Sequence, residues 1–517
     1  MATFVERVMS GLTAGITAFR EAYMNAGALD TPDFNEFEAR KLRYAIFWAF
    51  FQNTAYRDIN KWAPSLRAEY GLYKFARNIY NPAYRLGKFW QAHLMGGALD
   101  PNAGDGKTAP SALPILTEVD ALRTPIAALW RDSNWQIRKD IFTLQGSLFG
   151  DIGLRVIDDV DRAKVYLDVV HPGTIKSITL DPFGNVKGYT LEESRVNPNG
   201  NTPKFVTYTE IAARDGVNVV YQTFLNGTLY AWNGITAEWA EPYGFIPLVI
   251  VQHNNVGLEW GWSELHPGLA KFREVDDLSA MLHDQIRKMV NAAWLLAGVS
   301  EPKAGTPKAK NNTATSENPG NGREEVPIFY GPVGAQPHAL VAPLDIAAAG
   351  ARVDALIVEL ERDYPELKID ELRVSGSLSG RAMALAQQPA EDKAYQLRAG
   401  YDNGLVRAQQ MAIAIGGHRG YEGYAGFDLD SYTAGKLNHS IGARRVFAQT
   451  PLDELEEKTA FYNVFKAASD AGAPIPRKMI WQEAGYEDVD AMEKDLQAQM
   501  EANMSAALQD VVTGVTP

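Results

Sequence analysis

The chain contains no cysteine. Disulfides and thiolate metal sites are therefore excluded, and the composition suits folding in a reducing cytoplasm. A long hydrophobic run is missing too. The most apolar early stretch, Tyr44 to Phe51, falls far short of the ~20 residues that span a bilayer. The opening MATFVERVMSGLTAGITAF carries charges and lacks a long apolar centre, so neither a secretory signal nor a membrane anchor is expected. Positive charge is not in excess: 50 Lys and Arg stand against 63 Asp and Glu, a formal charge of −13. Sequence-specific DNA binders usually present a basic face. Acidity of this kind keeps a protein soluble, and it would suit a conduit along which a polyanion slides.

Catalytic and metal motifs are equally scarce. Gly106-Lys107-Thr108 resembles the end of a phosphate-binding loop, but G-x-x-x-x-G-K-[ST] would need glycine where Pro101 stands, so an exposed turn is expected. In Ser375-Gly376-Ser377-Leu378-Ser379-Gly380, Leu378 occupies the position where a nucleophile elbow needs serine, which leaves a flexible hinge. None of the eight histidines is paired at i+3 or i+4 spacing, so each is expected to be at the surface or locally bonded. Asp428 and Asp430 alternate without the rest of a calcium loop. No catalytic residue, metal or cofactor is expected, and the chain reads as a non-enzyme.

What is present is a core-forming composition, with 46% hydrophobic residues, over a length that implies roughly two to four domains. Residues 33–97 are helical in pattern and aromatic: Phe37, Leu42, Ile46 and Phe50 recur at helical spacing with Phe47 and Phe51 beside them, and Pro64 and Pro82 break the run. Arg40, Lys41, Arg43, Arg57, Lys61, Arg67, Lys74, Arg77, Arg85 and Lys88 interleave with these aromatics, as in a stacking platform for nucleic acid. Helical spacing favours packing instead, with the basic residues on the solvated face or at a subunit contact. A Gly/Pro-rich loop covers 98–112 and a helix is expected over 113–137.

From about 140 to 260 short β-branched and aromatic runs indicate a compact antiparallel module. Asp181-Pro182-Phe183-Gly184-Asn185 marks a turn, and Asn226-Gly227 marks a hairpin. Residues 263–298 read as one long helix, capped by Ser263, with a core series Phe272, Val275, Leu278 or Leu282, Ile286, Met289 and Ala293. At full length it would approach ~50 Å. A polar Pro/Gly-rich insertion follows at 299–344, in which VPIFYGP and HALVAPL are a candidate strand pair. A second helix is expected at 345–366, with six acidic residues against two basic ones. After the Ser/Gly segment 367–380 a third long helix runs from about Arg381 through Ile415, with Pro389 expected to kink or split it. The tail 451–510 is helical again.

This order of elements resembles the portal proteins (head-to-tail connectors) of tailed double-stranded-DNA bacteriophages, over about residues 30–510 and most specifically over 263–417. The resemblance implies an α+β, mainly helical portal fold. Residues 1–262 and 381–450 would be the wing, 263–298 and 345–366 the stem helices, 299–344 the clip, 367–380 the tunnel loop, and 451–517 the crown. It implies a virion protein at the capsid portal vertex, made in the host cytoplasm and assembled as a dodecameric homo-oligomer. Double-stranded DNA would pass non-specifically through the ring during packaging and ejection. Its partners would be the terminase, a head-tail adaptor, the major capsid protein and scaffold, with no membrane. Lys368 and Arg373 would meet phosphate in the tunnel loop, Ser375, Gly376, Ser377, Ser379 and Gly380 would give it mobility, and Asp354, Glu359 and Glu361 would line the stem. Two other readings stay open: another ring-forming adaptor or structural virion protein, and a DNA-packaging enzyme.

Overall fold

The computed structural model describes residues 36–55, 80–101, 112–200, 202–232, 234, 236–290, 294–297, 328–331, 333–334, 346–369, 380–447, 451–472, 475–483 and 489–513. The fold is α+β, and the chain divides into two compact units, 1–446 and 447–517.

Helix α1, Phe37–Phe51, buries Tyr44, Phe47, Phe50 and Phe51, so its aromatics are core. Leu42 and Ile46 lie half-buried at the edge of that face. Helix α2, Pro82–His93, starts where Asn81 Oδ1 accepts the Tyr84 N–H at 3.1 Å, with Pro82 in the first turn, where its missing N–H costs nothing. The expected helix over 113–137 is instead a short strand β1, Ile115–Leu116, then helix α3, Arg123–Asp132, and helix α4, Trp135–Phe149. Asn134, left-handed at φ 50°, separates the two helices, and Gly150 at φ 91° ends α4 about ten residues beyond the point where strands were expected to begin.

The antiparallel module follows as β2 Asp151–Asp159, β3 Lys164–Val170, β4 Ile175–Leu180, β5 Val186–Val196, β6 Phe205–Asp215, β7 Asn218–Leu225, β8 Thr228–Leu229, β9 Glu238–Glu241 and β10 Leu248–Gln252. It forms two sheets, one ordered β10-β2-β3 and the other β4-β5-β6-β7-β8 with β9 on β7. Asn226 and Gly227 both have positive φ, 49° and 83°, as a tight two-residue hairpin requires, and Phe224 pairs with Leu229 across it. At the β4–β5 turn, Asp181 Oδ1 accepts the Phe183 and Asn185 N–H groups at 2.8 Å each.

The long helices differ from expectation at their ends. Helix α5 spans Leu269–Val290 rather than 263–298. Pro267 disfavours a helical His266, and Ser263 Oγ accepts the Leu265 N–H at 3.0 Å in a turn outside the helix. Strand β11, Trp294–Ala297, follows and pairs in parallel with β12, Ile328–Gly331. Thus VPIFYGP takes residues after α5 as its partner, while HALVAPL lies outside the described residues. Helix α6 covers Ile346–Asp363 and ends in a 3-10 turn, Pro365–Lys368.

Helix α7 runs unbroken from Gly380 to Arg419 despite Pro389. The ring removes the N–H that would bond the Leu385 carbonyl, and that turn is exposed. The buried face of α7, with Tyr401, Leu405, Ala408, Met411 and Ala412, covers the β10-β2-β3 sheet. Glycine permits its close approach: a Cβ on Gly404 would come within 2.3 Å of Val251 on β10, and one on Gly146 within 2.1 Å of the Tyr401 hydroxyl. Helix α8, Leu429–Thr433, is capped by Asp428, whose Oδ1 accepts the Ser431 N–H at 2.7 Å, so this carboxylate caps a helix. Strand β13, Ser440–Ile441, pairs antiparallel with β1. The second unit holds helices α9 Pro451–Asp470, α10 Arg477–Glu483 and α11 Val489–Thr513, with Lys478 paired to Asp490.

Candidate functional site: the α5–α6 pair and its root

Helices α5 and α6 lie side by side and run in opposite directions. Lys271 Nζ reaches Glu359 and Asp363 at 2.7 Å each, whereas further along α5 Glu274 lies 4.0 Å from Arg352, which is earlier on α6. The seam is apolar near the body of the unit. Leu269, Phe272 and Val275 bury against Leu356, Leu360 and Tyr364, and the Phe272 and Tyr364 rings stand 5.9 Å apart. Tyr44, Phe47, Phe50, Leu86 and Phe149 complete this cluster, so the N-terminal aromatics anchor the pair. Away from this root α5 loses its cover: Met281 and Ile286 are both exposed.

A buried ionic cluster sits beneath the root. Glu264 lies just before α5, Glu366 in the turn after α6, and Lys393 on α7. Lys393 Nζ donates to Glu366 at 2.9 Å and also pairs with Glu264. Glu264 Oε2 lies 3.1 Å from His253 Nε2, and His253 Nδ1 lies 3.0 Å from the Tyr401 hydroxyl. Tyr364 OH donates to the Glu264 carbonyl oxygen at 3.0 Å. The rings of Trp90 and Tyr364 each lie 5.3 Å from the ammonium. Burial pushes the Glu264 carboxyl up, but the Lys393 ammonium and the His253 imidazole outweigh it and hold it below the usual carboxylate range. Burial, and then the Glu264 charge, push Glu366 up to about 7.

The residues expected to line a stem separate here. Asp354 is exposed on α6 and Glu359 turns to Lys271, but Glu361 is only 7% exposed and faces inward. Lys368 ends the 3-10 turn half-buried and Gly380 opens α7. Arg373, Ser375, Gly376, Ser377 and Ser379 lie outside the described residues, as does Gly106-Lys107-Thr108.

The expectation that the N-terminal basic residues are solvated or at a subunit contact fails for two of them. Arg40 is buried, donates to the carbonyls of Ile175 and Lys176 at 2.9 and 3.0 Å, and stacks 3.6 Å above Trp260. Arg43 is buried as well, and burial lowers it to about 10. Arg40 serves the fold, because its stem packs as apolar bulk while its guanidinium fork satisfies carbonyls.

His253 and His439 are bonded within the fold, and His171 Nδ1 accepts the Gly173 N–H at 2.9 Å. No group of three or more metal-ligating side chains occurs among the described residues, and no helix among them is long and apolar enough to cross a membrane. No family model matches the chain, and no curated protein matches it significantly.

Proposed function

We propose that this chain is a portal subunit, one copy in a ring of twelve that forms a DNA channel at a capsid vertex of a tailed bacteriophage. The observation that carries the proposal is the α5–α6 pair: anchored at one end in an aromatic core, it has apolar side chains exposed toward the other. Repeated around an axis, such pairs cover one another's apolar faces and enclose a tube. In this reading α5 and α6 are the stem and residues 299–344 the clip, which docks the terminase and later a head-tail adaptor. Residues 367–380 are the tunnel loop, 1–262 and 381–450 the wing, and 451–517 the crown. Capsid protein and scaffold surround the ring in the virion. Exposed Asp354 adds negative charge to the stem wall. Such a wall releases few counterions to passing duplex, so DNA slides rather than sticks.

Negative-stain microscopy of the purified full-length protein tests this. Rings with a central hole are expected, with a mass of about 680 kDa for twelve copies of the 56.9 kDa chain. Replacing Met281 and Ile286 by serine should abolish rings while leaving a folded monomer. A wild-type chain that stays monomeric at high concentration and on empty capsid precursors would end the proposal.

A further inference from the structure

The ring reading makes no use of the ionic cluster at the root of the helix pair, yet that cluster is unusual in its charge count. Two buried carboxylates share one half-buried ammonium, and Glu366 Oε2 has no hydrogen-bond partner among the described residues. The three side chains come from three separate elements: the turn before α5, the turn after α6, and α7. We infer that Glu264, Lys393 and Glu366 form a proton-linked clasp, which ties the root of the helix pair to α7 firmly while Glu366 carries a proton and loosens when Glu366 ionises.

With Glu366 neutral, Lys393 and Glu264 balance each other. With Glu366 ionised, the cluster carries an extra negative charge among the rings of Trp90 and Tyr364, where an unbalanced charge is costly. The other groups facing the cluster do not correct this. Burial keeps His253 neutral by lowering its affinity for a proton, and it keeps the Tyr364 and Tyr401 hydroxyls protonated. Arg85 on α2 donates to the Leu367 carbonyl oxygen at 2.7 Å. The direction of the linkage follows. Glu366 binds its proton more tightly in the closed clasp than it would in water, so closure is favoured at low pH and weakens as pH rises through about 7. The inference rests on contacts within one chain and holds whether or not the chain forms rings.

The test is hydrogen exchange by mass spectrometry on the full-length protein, following peptides that contain Glu366 and Lys393. Rates are corrected for the intrinsic pH dependence of exchange. Glu366→Gln is the reference, because it keeps the side chain's size, is permanently neutral, and leaves the His253–Glu264 contact in place. Relative to that variant, opening in the wild type should rise about tenfold between about pH 6 and pH 8, the value set by one proton whose affinity falls from about 7 to the ordinary carboxylate range. Glu264→Gln, which leaves Lys393 to Glu366 alone, should flatten the profile in the same way and serves if the first variant does not fold. A ratio to either variant that stays constant across this range overturns the proposal.

Discussion

Glu210 and Glu366 are both buried carboxylates, one inside the six-stranded sheet and one at the root of the helix pair, and their partners differ in kind. Glu210 accepts from the Tyr189 hydroxyl at 2.6 Å and the Tyr208 hydroxyl at 2.5 Å, and Arg155 lies at 3.3 Å. Both of its oxygens are bonded, and its cation also pairs with Asp168, 3.4 Å away on β3. Glu366 shares its one cation with a second buried carboxylate and leaves an oxygen unbonded. A carboxylate with donors on both oxygens fixes a scaffold, because any movement breaks several charge-assisted bonds together. A carboxylate that competes for its cation is balanced between two protonation states and ties its elements together conditionally. The sheet is therefore the rigid part of this unit, and the joint beneath the helix pair is the adjustable one.

Removing the shared cation separates the two most sharply. Lys393→Met leaves Glu264 and Glu366 buried without a counter-charge and should cost about 3–5 kcal/mol of stability, read from denaturant unfolding of the full-length chain. The loss should be larger at pH 8 than at pH 5, since protonating the carboxylates relieves it. A loss below about 1 kcal/mol would mean that water reaches the cluster, and the contrast with the sheet would collapse. Next in size is Glu210→Gln, which strips two tyrosines and an arginine of their charged acceptor and should cost about 2–3 kcal/mol. A loss below about 1 kcal/mol would show that the two tyrosines find other acceptors when the carboxylate is gone.

These regions were unequally legible in the sequence. Asn226-Gly227 declared its hairpin because the conformation it needs is a property of those two residues. Helix α6 was readable from its periodicity, and α1 was correctly read as core because aromatics at helical spacing signal packing. What failed depended on distant chain. Arg40 reads as a surface cation until Trp260 and the Ile175 carbonyl arrive above it. The start of α5 depended on Pro267 and on a bond from Ser263 Oγ to the Leu148 carbonyl at 2.6 Å, across 115 residues. Strand β9, with glutamate at both ends, carries no strand signal of its own and exists because Tyr221 stacks on Trp239 at 5.1 Å. The clasp had no local signature at all, because Lys393 lies 129 residues from Glu264 and 27 from Glu366.

The smallest expected effect sharpens the comparison from the solvent side. Lys271 also bridges two carboxylates, Glu359 and Asp363, at 2.7 Å each, so in plan it matches Lys393. The difference lies in the acids: Glu359 and Asp363 are about half exposed, whereas Glu264 and Glu366 are buried. Water screens the exposed pair, and holding three long side chains in place offsets most of the attraction. Lys271→Ala should therefore change stability by no more than about 1 kcal/mol, and less still in high salt. The relevant measurement is the same unfolding curve at low and high ionic strength, set beside that of Lys393→Met. If the two substitutions cost alike, burial is not what distinguishes the clasp, and shared coordination of one lysine by two acids would have to explain both. If they differ by several-fold, desolvation is the cause, and it is the aromatic roof of Trp90 and Tyr364 that turns an ordinary triad of charges into a joint sensitive to a single proton.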